Sequence, residues 1–287
     1  MDYEIELDAH HHFWSLGRGD YQWIRQRLHL SNMMRLARDF DIAEYRGVLA
    51  SHGVRRSLLV QTERTAAETD QMIARAWAAD YVAGVVGWVD FRADDAASEV
   101  ARRASDPTIK GLRLWLLGDQ GADWVFGDTA QRGLDSAVSH DLPLELFPDA
   151  RQVDAVLRLL AERPLPPVAI CHAAKPGVGV WDVRDAEFAR WRSDMKRLAN
   201  AGCFVKFSGV VTECGDDWRL DELRPYWDAL LAAFGPSRIM WGSDWPVIER
   251  AGGFGKWLDA VRALASELTA ADRRSIFGGA AQAFYRL

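Results

Sequence analysis

Residues 8–14 read Asp8-Ala9-His10-His11-His12-Phe13-Trp14, directly after an apolar-alternating start. Side chains alternate along a strand, so His10 and His12 point the same way and two imidazoles so placed can share one metal ion. His11 then points elsewhere. His172 closes a second apolar run, in Ile170-Cys171-His172-Ala173-Ala174-Lys175-Pro176, and Asp244 follows a third, in Met240-Trp241-Gly242-Ser243-Asp244-Trp245-Pro246. Three imidazoles and a carboxylate are the groups that hold a metal-bound water and take its proton. Each has a plain alternative: a surface histidine cluster for residues 10–12, a hydrogen-bonded structural histidine for His172. The four carry meaning only if the fold brings them together. Cys171 precedes His172, but strand alternation separates them, so a Cys–His nucleophile is not expected.

The elements that would position them recur along the chain. Short β-rich runs occupy residues 5–9, 57–62, 85–89, 110–116, 143–147, 168–171, 204–208 and 239–242. Near-continuous apolar runs of this kind suit a parallel sheet buried on both faces. Amphipathic stretches at 65–79, 149–163, 188–201 and 225–234 separate them, with Asp149 as an N-cap. Eight strands alternating with helices predict an α/β chain folded as a single (β/α)8 TIM barrel over residues 1–287. In such a barrel the last strand closes on the first, and active sites form at the C-terminal strand ends. His10, His12, His172 and Asp244 all fall there. Residues 14–32 are too long for a minimal strand-to-helix loop and read as an insertion covering the substrate.

Composition narrows the class. Length alone, 287 residues, allows two domains, but barrels of this size fold as one. A formal charge of −6 gives no electrostatic reason to bind nucleic acid, and no apolar run is long enough for a membrane span. The start of the chain lacks a signal-peptide pattern and three cysteines form no disulfide framework, so a cytoplasmic protein is expected. Oligomeric state is left open. Only five of the 35 basic residues are lysines, and Lys110, Lys175 and Lys206 fall on or beside strands. With Arg113 they are read either as partners of a substrate carboxylate or a neighbouring acid, or as salt bridges within the barrel. Glu63, after the second strand, is placed to accept from substrate hydroxyls. Trp23, Trp115 and Trp245 offer either sugar-stacking faces or core packing.

The ordered set of motifs resembles the amidohydrolase superfamily, within its branch of sugar-acid lactonases such as the L-fuconolactonases and L-rhamnonolactonases. The matching stretches are DAHHHFW (8–14), VQTERTAAET (60–69), KGLRLW (110–115), HAAKP (172–176), VKFSGVVTE (205–213) and PYWDALLAAFGPSRIMWGSDWPV (225–247). They span nearly the whole chain. Many relatives carry a metal-ligand histidine after the fifth strand; this chain has Glu145 there, which leaves at most a one-metal site. The resemblance implies a hydrolase that opens a sugar-derived lactone to its aldonic acid, in carbohydrate breakdown of the L-fucose type. One divalent metal, Zn²⁺ by its N and O ligands, is implied at His10, His12, His172 and Asp244. Asp244 is the implied general base, His172 or protonated Asp244 the proton donor to the ring oxygen, and Lys206 or Arg113 the oxyanion partner. The competing readings are a metal-independent hydrolase of a carboxylated lactone from aromatic breakdown, a decarboxylase, and a non-catalytic sugar-acid-binding barrel. Arg113 as the one clear arginine favours a neutral lactone over a carboxylated one.

Overall fold

The structure is a computed structural model and describes residues 5–117 and 121–287; the first four residues of the chain, used above in judging the absence of a signal peptide, lie outside it. Eight strands form one parallel sheet in sequential order: β1 (Ile5–His11), β2 (Val54–Val60), β3 (Val82–Gly87), β4 (Ile109–Trp115), β5 (Leu144–Phe147), β6 (Val168–Ile170), β7 (Phe204–Phe207) and β8 (Ile239–Trp241). The sheet closes through the segment after β8: His11 bridges Trp245, the His12 N–H donates to Trp245 O at 2.7 Å, and the Asp244 N–H donates to His10 O at 2.8 Å. The (β/α)8 barrel is thus the observed architecture.

Strand alternation sorts the residues into two cores. Leu58, Val86, Ala169 and Met240 face the barrel interior, while their neighbours Leu59, Val85, Ile170 and Ile239 pack outward against the helical layer. Strand register places Arg113 beside Glu145, Glu145 beside Ala169, and Lys206 beside Met240. A polar layer therefore crosses an otherwise apolar interior. On β1 the register slips between Asp8 and His11. Leu7 and Ala9 pack in the interior below the slip; His10 and His12 face inward above it, and His11 turns out to stack on Tyr45 at 4.2 Å.

The crossover helices begin as their caps dictate. Thr65 accepts from the Glu68 N–H to start Ala66–Trp77, and Asp149 accepts from the Arg151 N–H to start the turn before Val153–Glu162. One helix begins earlier than the sequence suggests: Leu220–Phe234 runs through Pro225, because the capping pair Arg219 and Glu222 starts it five residues upstream. The connection after β1 is longer than expected, reaching the helix Ile42–His52 through the short helix Gln22–Arg25 and the turn Ser31–Leu36. Arg35 ties it across the barrel mouth, donating to Asp216 Oδ1 at 2.7 Å and to Glu249 O at 2.9 Å.

Candidate active site

Asp244 lies at the centre of the barrel mouth. Its Oδ1 is 3.1 Å from His12 Nε2, 3.7 Å from His10 Nε2 and 3.9 Å from His172 Nε2. The far ring nitrogens decide what those Nε2 atoms present. His12 Nδ1 lies 2.7 Å from Val60 O and His172 Nδ1 2.9 Å from Ser208 O, and a carbonyl can only accept, so both Nδ1 atoms carry the proton. In a neutral ring each Nε2 then turns a lone pair toward a carboxylate oxygen. His10 Nε2 is buried without a hydrogen-bond partner. Lone pairs converging on a carboxylate call for a cation or a water between them, so the donor set fits a divalent ion held by His10, His12, His172 and Asp244. His10, His172 and Asp244 have ligand atoms within 4.8 Å of one another, and His12 joins them through Asp244.

The backbone here is strained. His172, Ala173, Ala174 and Lys175 all have positive φ, between 49° and 57°. Left-handed backbone costs an L-residue about 1–2 kcal/mol, so four in a row persist only where surroundings enforce them. The Trp191 indole donates to Ala173 O at 2.8 Å, the Lys175 N–H donates to His172 O at 2.8 Å, and Ser208 holds the ring. Gly209 completes the arrangement: at φ +60°, a Cβ there would lie 2.5 Å from His172 Nδ1 and 2.6 Å from Asp244 Oδ2. Alternation carries Cys171 inward with Ala169, and the left-handed turn at His172 takes that ring out of alternation to the mouth, so the two do not face apart as expected. The Cys171 thiol donates to Glu145 Oε2 at 3.0 Å. Burial pushes that thiol well above its ordinary pKa, which leaves it inert as a nucleophile.

Electrostatics keep His10 and His172 neutral. Burial, reinforced by Arg113 and Lys175 against the pull of Asp244, pushes His172 down to about 3. Burial and Lys206 hold His10 well below its ordinary value. Burial alone would raise the Asp244 carboxyl, but His172 and His12 bring it below the usual carboxylate value, so it is ionised.

Above this cluster lies a cavity of about 120 Å³ lined by His12, His172 and Asp244 together with Trp23, Arg27, Thr62, Arg113, Trp115, Phe147, Lys175, Thr212, Glu213 and Arg250. Pockets for drug-sized ligands run from roughly 300 Å³ upward, so this one suits a single small ring. Arg113 is buried, donates to Gln61 O at 3.0 Å and lies 3.3 Å from His172 Nε2. Arg250 forks onto Glu213 at 3.1 and 3.2 Å, and Lys175 reaches the same carboxylate at 3.6 Å.

Several expectations need correction. Lys110 is the second residue of β4, at the strand end away from the cavity, where its chain lies over Gly84. Trp245 is buried between Tyr45, Phe40 and Phe13 and turns no face to the cavity. Glu63 is half-buried beside the insertion and does not line the cavity. Lys206 lies below His10, fully buried, and is not at the surface where an oxyanion would form. Arg113 is not the sole cation: Arg27, Lys175 and Arg250 join it, so arginine scarcity no longer argues for a neutral lactone. Trp23, Trp115 and Arg113 do line the cavity. Of the residues missed, Arg27, Thr62, Thr212 and Glu213 sit on loops and Arg250 in the short 3-10 helix Val247–Ala251, where no periodicity marks them, although Arg27 falls in the insertion and Thr62, Thr212 and Glu213 in family-like stretches.

The chain belongs to the amidohydrolase family, whose model matches residues 7–287. It is 34% identical over 290 residues to a Burkholderia ambifaria protein named L-fucono-1,5-lactonase, covering 99% of this chain and 96% of the relative. A Burkholderia multivorans protein of the same name is 33% identical, again over 99% of this chain and 96% of the relative. The crystal structure of an amidohydrolase from Burkholderia multivorans with bound zinc superposes with a TM-score of 0.89 at 31% identity, over 99% of each chain.

Proposed function

We propose that this protein is a lactonase that opens a sugar-derived lactone, of the L-fucono-1,5-lactone type, to the aldonic acid. The observation that carries the reading is the ionised Asp244 set among three imidazoles beneath a small cationic cavity. It is supported by the full-length similarity to proteins named for this activity. Asp244 accepts a proton from a water placed between it and the imidazoles, and the resulting hydroxide adds to the lactone carbonyl carbon. A divalent ion such as Zn²⁺ would be held by His10, His12, His172 and Asp244 and would supply Lewis acidity there. Arg113 and Lys175 offer N–H groups and positive charge to the carbonyl oxygen as it gains negative charge. The ring C–O bond then breaks and its oxygen takes the proton Asp244 has just accepted. His172 is a poor donor for this step, since its pKa near 3 keeps it neutral. Trp23 and Trp115 wall the cavity against water. Residues 14–32, with Trp23 and Arg27, cover the bound ring.

Purified protein should open at least one of a panel of 1,4- and 1,5-aldonolactones in a pH-stat assay, before and after chelation with metal content measured in parallel. A panel in which no lactone opens faster than in buffer would sink the proposal.

A further inference from the structure

The barrel interior holds a second cluster of ligand-type groups directly below the first. Among the described residues two triads have ligand atoms within 4.8 Å of one another: His10, His172 and Asp244 above, and His10, Glu145 and Cys171 below. They share His10, whose two ring nitrogens face different triads. Nε2 faces Asp244 at 3.7 Å, and Nδ1 faces the lower cluster, where Lys206 Nζ lies 3.3 Å away. The ammonium also donates to Ala9 O at 2.7 Å and to Glu145 Oε1. Glu145 is fully enclosed: Tyr285 donates to the same oxygen and Cys171 to the other. Lys206 and Glu145 are both 0% exposed, so neither charge has water to fall back on.

We propose that the Lys206 ammonium is a built-in cation that fills the lower position, between His10 and Glu145 and beside Cys171, and so prevents a second metal ion from binding there. The argument is one of occupancy and charge. A buried carboxylate must be matched, and either an ammonium or a divalent ion can match it. Here the ammonium already takes Glu145 Oε1 and contacts the imidazole that a lower metal would need. Removing the ammonium leaves an imidazole, a carboxylate and a thiol facing one another, a set that suits Zn²⁺ or Co²⁺.

The test is a titration of wild type and Lys206→Met with Zn²⁺ and with Co²⁺, read by bound equivalents per chain and by absorption. Lys206→Met should take one equivalent more than wild type, whatever number wild type takes. Its Co²⁺ form should show a thiolate-to-cobalt charge-transfer band that wild type lacks and that Cys171→Ala removes. Its Tm should rise on adding Zn²⁺ by more than that of wild type, because the ion replaces the lost partner of Glu145. Equal stoichiometry in the two folded proteins, or a thiolate–cobalt band in wild type, would overturn the proposal. Should Lys206→Met not fold, the double variant Lys206→Met/Glu145→His, which leaves no unmatched buried carboxylate, is expected to bind the extra ion. Its failure to do so would overturn the proposal equally. Counting equivalents relative to wild type keeps this outcome separate from whether the protein opens lactones.

Discussion

Asp244 is the residue on which the proposed chemistry turns, because it is the ionised group that both faces the cavity and touches the imidazoles. Asp244→Asn keeps the shape and removes the base, so kcat should fall by roughly 10²–10⁴-fold with an unchanged circular dichroism spectrum. A loss below about 10-fold would show that another group takes the proton. The acid limb of the pH–rate profile follows from the direction of its shift. Activity needs the carboxylate, and its pKa lies below the ordinary value, so kcat/KM should decline only as pH falls below the ordinary carboxylate range. His172, at about 3, is neutral throughout that window and should add no inflection near the unperturbed histidine value of about 6.5. A profile of the chelator-treated enzyme with a step there would contradict the neutral imidazole. At this scale the ligand-type residues were readable from sequence because each ends a strand. Other cavity-lining residues were not, since Arg27 and Glu213 reach the cavity from loops and Arg250 from a short 3-10 helix, none with a periodic signal.

Among the elements, the left-handed turn after β6 and the glycine facing it shape the site most directly. Gly209→Ala adds a methyl within 2.6 Å of both His172 and Asp244 at a backbone angle that disfavours any side chain. It should lower kcat/KM by at least about 10²-fold, a misplacement penalty, and lower the Tm as well. Gly53→Ala is the control. Gly53 ends the helix Ile42–His52 at φ +68° with nothing within 4 Å of an added Cβ, so it shares the backbone strain without the clash. It should cost about 1 kcal/mol of stability by denaturant melts and leave kinetics unchanged. The strands were legible because their apolar runs are continuous and their order fixes which ends meet. The turn at residues 172–175 was not, because alanines at positive φ carry no sequence signal; only tertiary hydrogen bonds enforce it. That is also why Cys171 and His172 were placed on opposite faces. Lys110 and Lys206 show the same limit: both sit on strands, but which end and which depth they occupy depends on register.

The whole molecule is a cylinder stoppered at one end and open at the other. At the seam, the buried Asp8 carboxylate accepts from the His10 and Ser243 N–H groups at 2.9 Å each and from the Tyr45 hydroxyl at 2.5 Å, which locks β1 to the segment after β8 just below the cluster around Asp244. At the floor, the helix Ala280–Tyr285 packs Phe284 and Tyr285 against Leu7, Leu58, Val86 and Met240, the apolar base on which the polar layer rests. Phe284 makes no contact with the cavity, so its truncation separates stability from chemistry. Phe284→Ala should cost roughly 3–5 kcal/mol through lost burial and the void left behind. For a chain of this size that corresponds to a Tm lower by about 10 °C. If the floor acts only as a stopper, kcat measured well below that Tm stays within a few-fold of wild type. If kcat falls in step with stability, the floor instead sets the height of Glu145 and Lys206 under His10, because Tyr285 touches Glu145 and follows Phe284 on the same helix. Tyr285→Phe, which keeps the packing and removes only the hydroxyl, distinguishes the two: a kcat change there with an unchanged Tm would trace the effect to the buried polar layer.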